Sequence, residues 1–334
     1  MNSLNKTLKS MSYQLKKIFS KLKKTGMSTK ICLTLACLAL IIFIYKRVPD
    51  IDVDTEAFNN PDEGHNGEDN YRPEKKYIVK KNDELYDDFY ANIYDDLVYS
   101  EDKNAFEIEA IKTRSNLTKD SIVLDVGSGT GRHCNELNRL GCSCVGIDKS
   151  GSMVSKARVN APNSEFVKGD ALSSMTFQEG YFTHITALYF VVYYMRDKLL
   201  FFKNMYRWLK PGGHLIIHLV NKHKFDPMVP AGDPLTALSL QNYVDKRITD
   251  TVVVFNNFKY KANFSLKDNN TASFDERFIY PDGKIRHNQH TFWMDNQDKI
   301  LRLAKNVGFI LQSKIDLVDC EYDKQYLYIL QKPN

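Results

Sequence analysis

The residues with chemical potential gather in three short segments. In Val123-Leu-Asp-Val-Gly127-Ser-Gly129-Thr-Gly131-Arg132, an apolar run of strand character ends in a glycine-rich turn that opens a helical pattern. Glycine takes positive φ without steric cost and lets a ligand approach the backbone. The helix start beyond it supplies unpaired N–H groups. Such a turn can cradle a pyrophosphate or an amino-acid carboxylate, and two features separate them. A dinucleotide fingerprint spaces its glycines G-x-G-x-x-G. Here they run G-x-G-x-G, with Arg132 where the third glycine of that fingerprint would fall. Asp125 would also repel a pyrophosphate, whereas it suits an ammonium. A nicotinamide oxidoreductase therefore fails on spacing. The second segment, Val145-Gly-Ile-Asp148, ends a strand in an acid placed to accept from two ribose hydroxyls. An N-cap for the following helix is the structural alternative. In the third, Lys168-Gly-Asp170-Ala171, Asp170 is placed to accept from an adenine amino group, with a plain turn as the alternative.

Together with Trp208-Leu-Lys-Pro-Gly-Gly-His-Leu-Ile-Ile-His-Leu-Val220, these segments resemble the class I S-adenosylmethionine-dependent methyltransferases of the small-molecule type, over about residues 84–334. The resemblance implies S-adenosylmethionine as cofactor and a seven-stranded sheet with a reversed final hairpin. It implies that Asp125, Gly127, Gly129 and Gly131 line the methionine end and that Asp148 holds the ribose. Lys149, Met153, Asp170 and Ala171 would surround the adenine, and Leu188, after the fourth strand, joins the cofactor-binding set. The chain departs from one branch of the family. Leu188–Tyr194 carries no Asn-Pro-Pro-Tyr or Asp-Pro-Pro-Tyr, so a nucleic-acid acceptor is not expected and a small molecule is. Tyr189, Tyr193 and Tyr194 are candidates to wall the methyl-transfer site, with core packing as the alternative. A hydroxyl or acidic acceptor needs a base. His218 ends the fifth strand, where open α/β sheets place ligands. His218 and Tyr193 are thus the candidate catalytic residues. The alternative from another class is a catalytically inactive scaffold that keeps the fold, against which the intact donor-site set argues.

These residues need a doubly wound α/β frame. Strand and helix patterns alternate from Ile122 to Val220, as in parallel sheets. Thr251–Phe264, Thr271–Ile279 and Ile285–Met294 then read as antiparallel strands, with Pro281-Asp-Gly283 as a turn. Residues 222–295 form a block inserted before the last helix, expected to act as a substrate lid. The whole domain spans 76–334.

The N-terminal part differs in composition. Residues 1–47 hold ten basic residues and no acid. Within 1–30, apolar residues at three- and four-residue steps make a basic amphipathic tail suited to an anionic membrane surface. Ile31–Tyr45 is an uncharged run, about 22 Å as a helix, flanked by Lys30, Lys46 and Arg47. The expectation is a signal anchor over 31–47 and a single-pass membrane protein. The positive-inside rule and cytosolic cofactor supply disagree on which side the catalytic domain lies. Residues 48–75 hold nine acids against two bases and read as a disordered linker. The remaining domain is near neutral, which offers nucleic acid no electrostatic footprint. The cysteines lack metal-ligand spacing, so no metal site is expected. Oligomeric state is not legible.

Overall fold

Strands and helices follow one another closely in the computed structural model, which describes residues 77–232, 247–268 and 270–334. The tail, anchor and linker expected over 1–30, 31–47 and 48–75 lie outside the described residues. In chain order the elements are β1 (Tyr77–Lys81), α1 (Asp88–Val98), α2 (Glu101–Arg114), β2 (Ile122–Val126), α3 (Arg132–Arg139), β3 (Ser143–Asp148), α4 (Gly151–Asn160), β4 (Glu165–Lys168), β5 (Phe182–Ala187) and α5 (Val191–Tyr194). There follow α6 (Lys198–Trp208), β6 (Leu209–Val220), β7 (Asp250–Val254), β8 (Lys259–Leu266), β9 (Thr271–Ile279), β10 (Ile285–Trp293), α7 (Gln297–Val307), β11 (Ile310–Asp316) and β12 (Gln325–Gln331).

The central sheet has seven strands in the order β11-β12-β6-β5-β2-β3-β4. Its middle strands are parallel, and β12 runs antiparallel between β6 and β11. Parallel strands are covered on both faces and read as apolar runs. Val123 and Leu124 of β2 accordingly point to opposite faces and are both buried. One face packs Ile185, Leu215, Phe201 and Trp208, and the other Val123, Cys134, Cys144 and Ile216. Local signals set the helix starts. Asp87, Ser100, Ser150 and Asp197 each accept a backbone N–H three residues on, capping α1, α2, α4 and α6. Cys142 and Cys144 are buried free thiols.

The second sheet has five strands in the order β1-β10-β9-β8-β7. Two sequence expectations change here. The single strand over 251–264 is a hairpin, broken where Phe255 N donates to Phe258 O at 2.9 Å. The sheet is also not built from the insertion alone, because β1, which precedes the first helix, pairs parallel with β10. Tyr77-Ile-Val-Lys-Lys is too short for its periodicity to declare it.

Candidate functional site

Strand β2 delivers the chain into the glycine turn, where Gly127, Gly129 and Gly131 have φ of 65°, 52° and 79°. The amides of Gly127 and Ser128 donate to Ile147 O at 2.8 and 3.1 Å, tying the turn to β3. A Cβ on Gly127 would lie 2.6 Å from Val191 Cγ2, and one on Gly131 2.9 Å from Phe166. Gly129 differs. The nearest atom to its Cβ position is 3.9 Å away, on the Tyr94 ring, an ordinary contact, and the residue lines the cavity that opens at this turn. Its amide donates to Asp148 Oδ2 at 3.0 Å, and Ser150 N donates to Oδ1 at 2.8 Å. Ser150, rather than Asp148, caps α4. Burial raises the Asp148 carboxyl to about 6. Lys149 Nζ stands 3.1 Å from Asp170 Oδ2, so the ends of β3 and β4 bring Asp148, Lys149 and Asp170 together. Ala171 and Met153 are buried.

A cavity opens at the turn, between Gly127–Thr130, the helices α1 and α2, and Leu188. Asp125 lines it, with Oδ1 accepting from Thr186 Oγ1 at 2.7 Å; burial raises its pKa. Sequence reasoning missed the contribution of α1 and α2. Asp95 accepts from Thr130 Oγ1 at 2.5 Å and from Arg132 Nε at 2.8 Å. Glu107 accepts from Lys103 Nζ at 2.7 Å and bonds His133 Nε2 at 3.0 Å. Burial works against the Glu107 charge, yet Lys103 and His133 outweigh it and hold the carboxyl down at about 2. Asn104 Oδ1, Asn104 Nδ2 and Ser128 Oγ are buried in this wall without hydrogen-bond partners. Orphaned polar groups cost free energy until something pairs them. An amino-acid end carries both an ammonium and a carboxylate, so it offers a donor and an acceptor to groups of this kind, and Asp125 in the same wall suits the ammonium. The residues present therefore fit the methionine end of S-adenosylmethionine.

A second cavity shares Tyr94, Val98 and Tyr189 with the first, so these side chains form a common wall. Its other walls include Tyr86, Phe190, Tyr194, Phe264, His290 and Phe292. Tyr189 has φ of 54°, uncommon for a residue with a side chain. His218 Nδ1 donates to the Tyr189 carbonyl. The His218 ring is fully buried, lies in neither cavity wall, and is pushed down to about 4, hence neutral. Tyr193 is also fully buried outside both walls, its hydroxyl accepting from Val220 N at 2.8 Å. The structure thus brings Tyr189 and Tyr194 to the cavities, whereas His218 and Tyr193 lie in the packing behind them.

A methyltransferase domain model matches residues 124–217. Phosphoethanolamine N-methyltransferase of Plasmodium falciparum is 28% identical over 156 residues, which is 40% of this chain and 59% of that protein. The chain thus matches under two thirds of that relative's length. Among solved structures, an S-adenosylmethionine-dependent methyltransferase from Clostridium acetobutylicum superposes with a TM-score of 0.56 at 20% identity, covering 74% of this chain and 98% of that one. A SAM-bound amino pentose methyltransferase from Micromonospora echinaspora does so with a TM-score of 0.52 at 17% identity, covering 73% and 96%. Residues 124–217 match the methyltransferase domain family, and the chain carries the fold of the class I S-adenosylmethionine-dependent methyltransferases.

Proposed function

We propose that this protein transfers a methyl group from S-adenosylmethionine to a small-molecule acceptor. One observation carries the reading: a cavity at the glycine turn, with orphaned polar groups among its lining residues, shares a wall with an aromatic cavity. Asp148 would hold the ribose, with Lys149, Met153, Asp170 and Ala171 around the adenine. Asp125, Asn104, Ser128 and the turn amides would hold the methionine end, beside Leu188. The bound cofactor supplies a methyl group on a positively charged sulfur. The protein's part is then alignment across the Tyr94–Tyr189 wall, since holding two reactants in line removes much of the barrier. Residues of the inserted block, Phe264, His290 and Phe292, line the second cavity, which supports their selecting the acceptor. The matched relative's name, with its small phosphoethanolamine acceptor, supports that class.

Titration calorimetry of the full-length chain with S-adenosylmethionine, followed by methyl-label transfer into a small-molecule extract, tests the reading. Saturable binding with label in a small molecule is expected. Binding without transfer favours the scaffold alternative, and binding of a nicotinamide cofactor instead sinks the assignment. We also propose membrane attachment through 31–47, supported by the uncharged run between basic flanks. Release of the full-length chain by alkaline carbonate would overturn it.

A further inference from the structure

The second cavity has a polar chain at its back, of which the methyl-transfer reading uses only His290, as part of the wall. Tyr86 Oη donates to Tyr194 Oη at 2.8 Å, and Tyr194 Oη is 2.7 Å from His290 Nδ1. His290 Nε2 is 2.7 Å from Glu276 Oε2. Glu276 is fully buried and also accepts from Tyr260 Oη at 2.7 Å, Tyr90 Oη at 2.9 Å and Asn288 Nδ2 at 3.2 Å. Burial opposes its charge, but His290 and these donors outweigh it and hold the carboxyl below its ordinary range. A carboxylate only accepts. His290 Nε2 therefore carries the hydrogen, and in the neutral ring Nδ1 accepts from Tyr194. Tyr86 has given its own hydrogen to Tyr194, so lone pairs of its oxygen remain for the cavity. The order of parts is that of a carboxylate orienting a histidine, which in turn draws on a hydroxyl.

Aromatic rings make up the rest of the wall. Tyr94, Phe190, Phe292 and Tyr189, whose ring centroid also lies 5.1 Å from Lys103 Nζ, line the cavity, and among the described residues no lysine or arginine is part of its wall. Such a box attracts a cation through the ring quadrupoles, more strongly when water is excluded. It offers a carboxylate acceptor no counter-charge. A hydroxyl acceptor would use the relay but not the box. Only an amine that is protonated in water uses both.

We propose that this cavity is the acceptor pocket, that the acceptor is a protonated amine held by the aromatic box, and that the Tyr86–Tyr194–His290–Glu276 chain removes its proton. The proposal rests on the methyltransferase reading above. The acceptor N–H proton passes to Tyr86 Oη as the proton of Tyr86 passes to Tyr194 and that of Tyr194 to His290 Nδ1. His290 ends as an imidazolium paired with Glu276. The freed nitrogen lone pair forms the N–CH3 bond as the S–CH3 bond breaks, the bonding electrons staying on sulfur. Tyr86 is the catalytic residue here; Tyr194, His290 and Glu276 act through it as positioning residues and proton carriers.

The test needs no turnover. Tetramethylammonium and the neutral alcohol 2,2-dimethylpropan-1-ol, of similar branched shape, are titrated by calorimetry into the full-length chain without cofactor. The cation is expected to bind at least about tenfold more tightly. Glu276→Gln keeps the shape and removes the charge, so it is expected to weaken the cation at least about fivefold and to leave the alcohol within about twofold. Nitrogen NMR of unmodified protein, which requires no variant to fold, is expected to show His290 as the neutral Nε2–H tautomer. Equal binding of the two probes, or equal weakening of both by Glu276→Gln, overturns the amine acceptor. An Nδ1–H tautomer overturns the relay. A chain that binds S-adenosylmethionine without preferring the cation loses this proposal alone, whereas one that fails to bind the cofactor loses the methyltransferase reading as well.

Discussion

Asp148 has both carboxylate oxygens engaged by backbone amides, those of Gly129 and Ser150. It is therefore aimed in advance, and its burial raises its pKa to about 6. The folded protein then holds this proton to higher pH than the unfolded chain does, so the group favours folding below about pH 4. That benefit is lost as pH rises through about 6. Accepting from two hydroxyls favours the ionised form. Affinity for S-adenosylmethionine is accordingly expected to fall as pH drops from 7 to 5, and Asp148→Asn should flatten that dependence in calorimetry. Asp148→Ala is expected to cost about 1.5–3 kcal/mol of cofactor binding at neutral pH, with the fold retained by circular dichroism. Unchanged affinity would remove Asp148 from the donor site. His218 and His290 show the opposite limit on reading single residues. Both sit on strands near apolar neighbours, yet one props the Tyr189 carbonyl from the core and the other lines a cavity. The usable sequence signal was on β9, where Ala272, Phe274, Glu276 and Phe278 alternate on one face. An acid at a position that alternation assigns to the interior marks a buried polar network.

At the level of elements, the second sheet is more than a cover. Arg286 on β10 donates from Nη1 to both Asp87 oxygens, at 2.9 and 2.8 Å, from Nη2 to Leu85 O at 2.9 Å, and from Nε to Asn288 Oδ1 at 2.9 Å. Asp87 is the cap of α1, so one side chain fastens the sheet to the start of the first helix. Tyr90 and Met153 pack with Tyr260 and Phe278 across the same seam. Removing the insertion would expose that cluster, which is why point substitutions test acceptor selection better than deletion does. Arg286→Ala is expected to destabilise the protein by about 2–3 kcal/mol in urea denaturation. This is below the usual cost of breaking a buried ion pair because Asp87 is partly solvated. A loss under about 0.5 kcal/mol, the scale of an ordinary surface substitution, would mean that the clamp is not formed.

For the molecule as a whole, the position of β1 sets where the folded domain must begin. It pairs with β10 through Tyr77–Lys81, opposite Ile285–Gln289. A protein lacking residues 1–75 keeps this strand and is expected to bind S-adenosylmethionine within about threefold of the full chain. One lacking residues 1–81 bares the β10 edge, and unpaired edges promote association. It is expected to melt at lower temperature and to aggregate, as checked by thermal scanning and light scattering. Equal behaviour of the two truncations would show that β1 adds nothing to the sheet.

The alternation of apolar strands with helical patterns was enough to read the doubly wound frame, and glycine spacing with Asp148 was enough to read the kind of turn. Both are local properties, because strand period, cap residues and positive φ are fixed within a few residues of chain. The partnership of β1 with β10 was not legible, since the two strands are separated by about two hundred residues and five residues carry too little periodicity. Nor were the wall of Asn104, Lys103 and Glu107, or the chain from Tyr86 to Glu276. Those groups come from segments distant in sequence, and each alone reads as an ordinary helix or strand residue. What they do depends on burial and mutual distance, which arise only when the helices and the second sheet close over the end of the first.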